Sequence, residues 1–154
     1  MTGARVEGYL IDTSVLSAFA PGRPTPSAEV VTWLQEREAR LFIPCIAVAE
    51  LEQGICKLRR SGAAAKAARL STWMDGLIDE YADRVLPLDS GASRAAGQIA
   101  DKAVAAGKHP GFPDVAIAAL ARNRRLMVLT RNTRHFAALD VPHADPFEGL
   151  PDSP

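Results

Sequence analysis

Cysteine is nearly missing from this chain: among 154 residues only Cys45 and Cys56 carry a thiol. The spacing predicts that both lie in one helix, where eleven residues span about 16 Å, too far for a disulfide. Neither has a Cys or His at metal-ligand spacing. The expectation is two buried small hydrophobes in a reducing compartment rather than a disulfide scaffold. Long apolar runs are also lacking. No stretch approaches membrane-spanning length, and the start, MTGARVEG, does not lead into a secretory leader. These absences predict a cytoplasmic protein that does not enter a membrane. Net charge is missing as well, since eighteen Lys and Arg balance eighteen Asp and Glu. Whole-chain charge therefore gives no argument for a nucleic-acid partner.

What is present is ordinary globular composition, with an apolar fraction of 47% and a charged fraction of 23%. The length suits one domain, and no internal repeat, low-complexity segment or linker divides it. Charge is unevenly placed. Residues 57–69, KLRRSGAAAKAAR, carry five basic side chains and no acid. Residues 102–135 carry seven Lys or Arg, with Asp114 as the one acid. Such patches shape the local field more than the net sum does.

Short apolar runs alternate with helical patterns. GYLID (8–12), LFIP (41–44), VLPL (85–88) and LMVLT (126–130) read as strands. Helices are expected over 28–37, capped by Ser27, from Cys45 to Gly62, over 64–81, over 91–105 behind Asp89 or Ser90, and from Asp114. A short helix at 133–139 and an edge strand near Val141 complete the pattern. This alternation predicts an α/β domain of three layers, α/β/α, with a mostly parallel central sheet. The expected division is one domain over 1–147 and a loosely ordered tail over 148–154.

In open parallel sheets, sites form beyond the C-terminal ends of the strands. Asp12 ends the first strand, Asp114 follows the rigid connector GKHPGFP, and Glu50 lies past the end of LFIP on the side of its helix that carries Ile46 and Gln53. Three like charges repel, and a divalent cation with hard oxygen ligands, Mg²⁺ above all, removes that cost. Each acid also has a plain alternative: Asp12 and Asp114 as helix caps, Glu50 as a helix surface residue. Ser14 and Thr130, small hydroxyls at strand ends, suit either a carboxylate rotamer and ligand water or ordinary turn bonding. Arg122, Arg124 and Arg125 complement a helix dipole, whereas Arg131 and Arg134 are candidates for phosphate contacts.

Four stretches, LIDTSVLSAF, IAVAELEQGI, GFPDVAIAALA and LMVLTRNTRHFAAL, together resemble the PIN domain, in particular the VapC-like ribonuclease toxin of VapBC toxin–antitoxin pairs. The closing VPHADPF fits the same pattern. The resemblance implies a Mg²⁺-dependent endoribonuclease, with Mn²⁺ able to substitute, whose catalytic and metal-binding residues are Asp12, Glu50 and Asp114. It implies RNA as substrate, a cognate VapB-like antitoxin that fills the active groove, and a homodimer. Residues 45–81 are the expected groove, with Trp73 as groove anchor or core, and the helix faces 95–104 and 115–121 are either dimer contacts or buried. One departure stands out. Where many members carry a fourth acid after the last strand, this chain has Asn132 and His135, while Asp145 is a remote acid better read as structural.

Rival readings fit less well. A phosphorelay receiver needs paired early acids and a lysine after its last strand, and this chain has Ile11 before Asp12 and Arg131 after Thr130. An aspartate-nucleophile phosphatase needs an acid where Ser14 stands. The missing fourth acid keeps one alternative open: a catalytically inactive PIN-like module for RNA binding or protein interaction.

Overall fold

A computed structural model describes residues 5–151. Five parallel strands form one sheet in the order β3-β2-β1-β4-β5. They are β1 (Gly8–Ile11), β2 (Leu41–Pro44), β3 (Val85–Leu86), β4 (Leu126–Leu129) and β5 (His143–Ala144). The first three strands build outward in one direction. The chain then returns to lay β4 on the opposite side of β1, in register from Gly8 against Leu126 to Ile11 against Leu129. The reversal between β1 and β4 is a topological switch point, where an open α/β sheet forms its crevice.

The alternation of side chains along β1 divides the core into two layers. Leu10 points with Val128 to one face, where α5 (Ser90–Ala105) and α6 (Phe112–Arg124) pack. Tyr9 and Ile11 point with Leu129 to the other, toward α1 (Thr13–Leu16), α2 (Ala28–Gln35) and α3 (Cys45–Arg60). The third layer continues in α4 (Ala64–Tyr81), which meets α3 through Ile55, Ala67 and Met74. Strand β1 is buried at every position because it has a strand on each side and helices on both faces. Its first residue must be small: a Cβ on Gly8 would lie 2.6 Å from the Arg40 carbonyl oxygen.

Local signals act where expected. Ser27 Oγ accepts the Val30 amide at 3.3 Å, and Asp89 Oδ1 accepts that of Ala92 at 2.9 Å, capping α2 and α5. The faces 95–104 and 115–121 are used internally. Ala95, Ala96, Ile99 and Ala103 are buried, as is every residue from Val115 to Ala121, while Val104 stays exposed. Small alanines let α5 and α6 approach closely, so each helix covers the other.

Some expectations need correction. Cys56 is exposed and Cys45 half-buried, so the pair is not a buried one. Cys56 follows the buried Ile55, and one residue turns its side chain about 100° off the packed stripe of α3. The sulfur instead stands 3.7 Å from Glu52 Oε1. Strand β3 is two residues long, and the edge strand expected near Val141 lies at His143–Ala144. Helix α6 starts at Phe112 behind Gly111, which makes Asp114 its third residue. The final helix, α7, spans Thr133–Ala137.

Of the expected tail 148–154, residues 152–154 lie outside the described residues. The part before them is held. Asp145 Oδ1 accepts the Phe147 amide, its carbonyl accepts those of Glu148 and Gly149, and Leu150 packs on the core.

Candidate active site

Asp12 is the first residue beyond β1. Its amide donates to the Leu129 carbonyl of β4 at 2.9 Å, and its carbonyl accepts the amides of Val15 and Leu16, which starts α1. The backbone thus leaves the sheet at the switch point, and the side chain stays beneath the turn with 3% exposure. The capping reading fails here, because the carboxylate makes no cap bond to α1. Two hydroxyls hold it instead. Ser14 Oγ and Thr130 Oγ1 each donate to Oδ2 at 2.8 Å.

The protons on those hydroxyls have defined directions. Ser14 Oγ accepts the Arg131 amide at 3.0 Å, and Thr130 Oγ1 accepts that of Asn132 at 2.9 Å. Each oxygen therefore receives one backbone hydrogen and sends its own to Asp12. Thr130 is the first residue beyond β4, so the loop after one central strand braces the acid after the other.

Glu50 lies in α3, and its Oε1 accepts the Thr13 hydroxyl at 2.7 Å. Thr13 is adjacent to Asp12, so one hydroxyl ties the second acid to the chain segment that carries the first. Asp114 is on the first turn of α6, where its Oδ2 lies 3.0 Å from His135 Nδ1 of α7. The imidazole is the donor to that carboxylate, and its ring is well exposed. Asp145 is occupied in the closing turn, which makes it structural.

The acids differ in their compensation. Among the described residues no Lys or Arg forms an ion pair with Asp12 or Glu50, while Asp114 has the imidazole. A buried carboxylate without a cation is costly, and two neutral hydroxyls offset only part of that cost. Both hydroxyls use Oδ2, and no hydrogen bond reaches Oδ1 from the described residues. The free donors are hard carboxylate oxygens, a chemistry that fits a small divalent cation. They are not gathered into a cage. Among the described residues no three His, Cys, Asp or Glu side chains form a group able to hold a metal. The geometry brings Asp12 and Glu50 together through Thr13, and keeps Asp114 with His135.

Two clefts open beside Thr13 and Ser14 at the start of α1. One, of about 330 Å³, is lined by Thr13, Glu50, Arg23, Lys66 and Trp73. The other, of about 580 Å³, is lined by Ser14, Arg23, Arg131, Asn132 and Phe147. Trp73, expected as groove anchor or core, is half-buried and forms a cleft wall. Arg131 is exposed, with its guanidinium 5.3 Å from the Phe147 ring centre.

Comparison with known families decides the lineage: the profile described as the PIN domain matches residues 9–142. The chain belongs to the PIN-domain family. Among relatives of this PIN domain, Toxin FitB of Neisseria gonorrhoeae is 33% identical over 139 residues, covering 90% of this chain and 97% of that protein. The VapC ribonuclease Y4jK of Sinorhizobium fredii is 30% identical over 141 residues, covering 90% and 97%. The crystal structure of FitAcB from Neisseria gonorrhoeae superposes with a TM-score of 0.76 at 34% identity, over 90% of this chain and 97% of that one.

Two contributors escape a reading of strand ends. Thr13 lies in the run DTS, yet nothing in that run says that its hydroxyl meets a helix residue 37 positions on. Arg23 sits in a proline-rich loop that reads only as a connector, and its place on both clefts follows from the tertiary fold.

Proposed function

We propose that this PIN domain is a Mg²⁺-dependent endoribonuclease toxin that hydrolyses RNA phosphodiester bonds, with Mn²⁺ able to replace Mg²⁺. One observation carries the reading: Asp12, 3% exposed at the switch point, has hydroxyl donors on one oxygen and, among the described residues, no ion pair with Lys or Arg. Asp12, Glu50 and Asp114 are the proposed ligands, and binding of the ion would have to draw together three acids that form no such group among the described residues. A bound divalent ion supplies charge neutralisation for the phosphate and a more acidic water. The chain's own residues do the rest. Ser14 and Thr130 fix the Asp12 rotamer, Thr13 fixes Glu50, and His135 fixes Asp114. Arg131 meets the phosphate backbone. Hydrolysis adds water across the P–O3′ bond, leaving a 5′-phosphate and a 3′-hydroxyl.

The names of FitB, a toxin, and Y4jK, a ribonuclease, support this reading. A toxin acting on the RNA of its own cytoplasm needs restraint, so a cognate VapB-like antitoxin is the proposed partner, and a homodimer the proposed assembly. No helix among the described residues is long and apolar enough to cross a membrane.

A second reading, a catalytically inactive PIN-like module that binds RNA or protein, draws on a specific observation: among the described residues the acids are not gathered into a group of three, and Asn132 rather than an acid follows β4. Cleavage-site mapping on total RNA separates the two. The nuclease reading expects discrete 5′-phosphate products with wild type and Mg²⁺, and none with Asp12→Asn or with chelator. Equal products from wild type and Asp12→Asn reject the catalytic assignment. No products from either favour the inactive module.

A further inference from the structure

Arg23 lines both clefts at the start of α1. Its loop runs Pro21-Gly22-Arg23-Pro24-Thr25-Pro26. Gly22 makes the bend at a φ of 86°, and the three prolines restrict the remaining backbone. The Arg23 amide donates to the Ala20 carbonyl at 3.3 Å, so the loop returns against the end of the first helical segment. The side chain is displayed on a short, stiff support, and this reduces the entropy lost when it takes a ligand.

Charge along the clefts has an order. Lys66 lies on the first cleft, Arg131 on the second, and Arg23 on both. None of the three has a carboxylate partner among the described residues, whereas Arg37, Arg59, Lys102 and Arg125 do. Among the described residues the only acid on either cleft is Glu50, one of the proposed metal ligands. Each cleft also carries one half-buried aromatic wall, Trp73 in the first and Phe147 in the second. Cations that follow a backbone, with aromatic faces between them, are the elements that bind an unpaired strand, because a stacked base must be free of its partner.

We propose that Arg23 is the phosphate-binding residue that joins the two clefts into one track for single-stranded RNA. The proposal rests on the RNA reading above and adds the residue that spans the site. The strand runs past Lys66 and Glu50, crosses α1 under the guanidinium of Arg23, and continues to Arg131. The planar fork of Arg23 donates two hydrogen bonds to one phosphate, a geometry that lysine cannot reproduce.

The test is fluorescence anisotropy with labelled single-stranded RNA oligomers of graded length, on the full chain in chelator, so that cleavage plays no part. Affinity is expected to rise when the oligomer becomes long enough to enter both clefts. Arg23→Gln is expected to abolish that rise, weaken long oligomers about tenfold, and lower the slope of log affinity against log salt by about one. Arg23→Lys restores the slope but not all of the affinity. A duplex of the same length binds more weakly and with less dependence on Arg23. Unchanged binding by Arg23→Gln, with wild-type thermal unfolding, overturns the proposal, as does equal binding of duplex and single strand. Wild type that binds but does not cleave with Mg²⁺ leaves Arg23 in place and removes the nuclease reading. Wild type that cleaves, with Arg23→Gln binding normally, does the reverse.

Discussion

The Thr130 hydroxyl donates to Asp12 Oδ2 at 2.8 Å across the seam between β4 and β1, joining two residues 118 positions apart. Thr130 is completely buried, and its oxygen also receives the Asn132 amide. Thr130→Val keeps the shape and removes both bonds, leaving a backbone amide and part of a buried carboxylate unsatisfied. The expected cost is about 2 kcal/mol in urea unfolding. Cleavage should fall further than the loss of folded protein explains, because the acid loses its fixed rotamer.

Asn132 is exposed at the start of α7 and makes no side-chain cap bond there. Asn132→Asp places an acid just after β4. Stability should change by less than about 0.5 kcal/mol, as expected for a surface position. Mn²⁺ affinity, followed by titration calorimetry, should increase. Unchanged affinity would place residue 132 outside the ligand set.

The layout of strands and helices was legible because period and punctuation agree at most boundaries. Ser27 and Asp89 cap helices, Pro44 ends β2, and the run from Leu126 forms β4. Asp12 was legible as the residue that ends β1, whereas the switch point there follows only from β4 pairing beside β1. Contacts between distant side chains were less legible. Hydroxyls at strand ends bond within turns or across strands, and only the register of β1 against β4 selects the second for Thr130. The same holds for His135, whose pairing with Asp114 depends on how α7 meets α6. Cys56 shows the limit of residue type: helix phase, not hydrophobicity, sets its exposure.

Tyr81 gives a pH signature. Burial raises the phenol above its ordinary value near 10, opposed by Arg84 and reinforced by Glu80 and Glu38. A raised folded pKa means that the contribution is complete below the unfolded value and is lost as pH climbs through the folded one. Wild type should therefore lose stability above pH 10 by a component that Tyr81→Phe lacks. The difference between their urea midpoints, constant near neutrality, should shift in favour of Tyr81→Phe in alkali. A difference that stays constant would contradict the burial of the phenol.

The most direct measurement is Mn²⁺ binding by calorimetry to wild type, Asp12→Asn, Glu50→Gln and Asp114→Asn, each confirmed as folded by its unfolding curve. These acids come from the turn after β1, from α3 and from α6, so a loss shared by all three substitutions requires a common ion. The account predicts saturable binding to wild type, weakened at least tenfold by every substitution, with Asp12→Asn the most severe. Wild-type affinity in all three variants would contradict it.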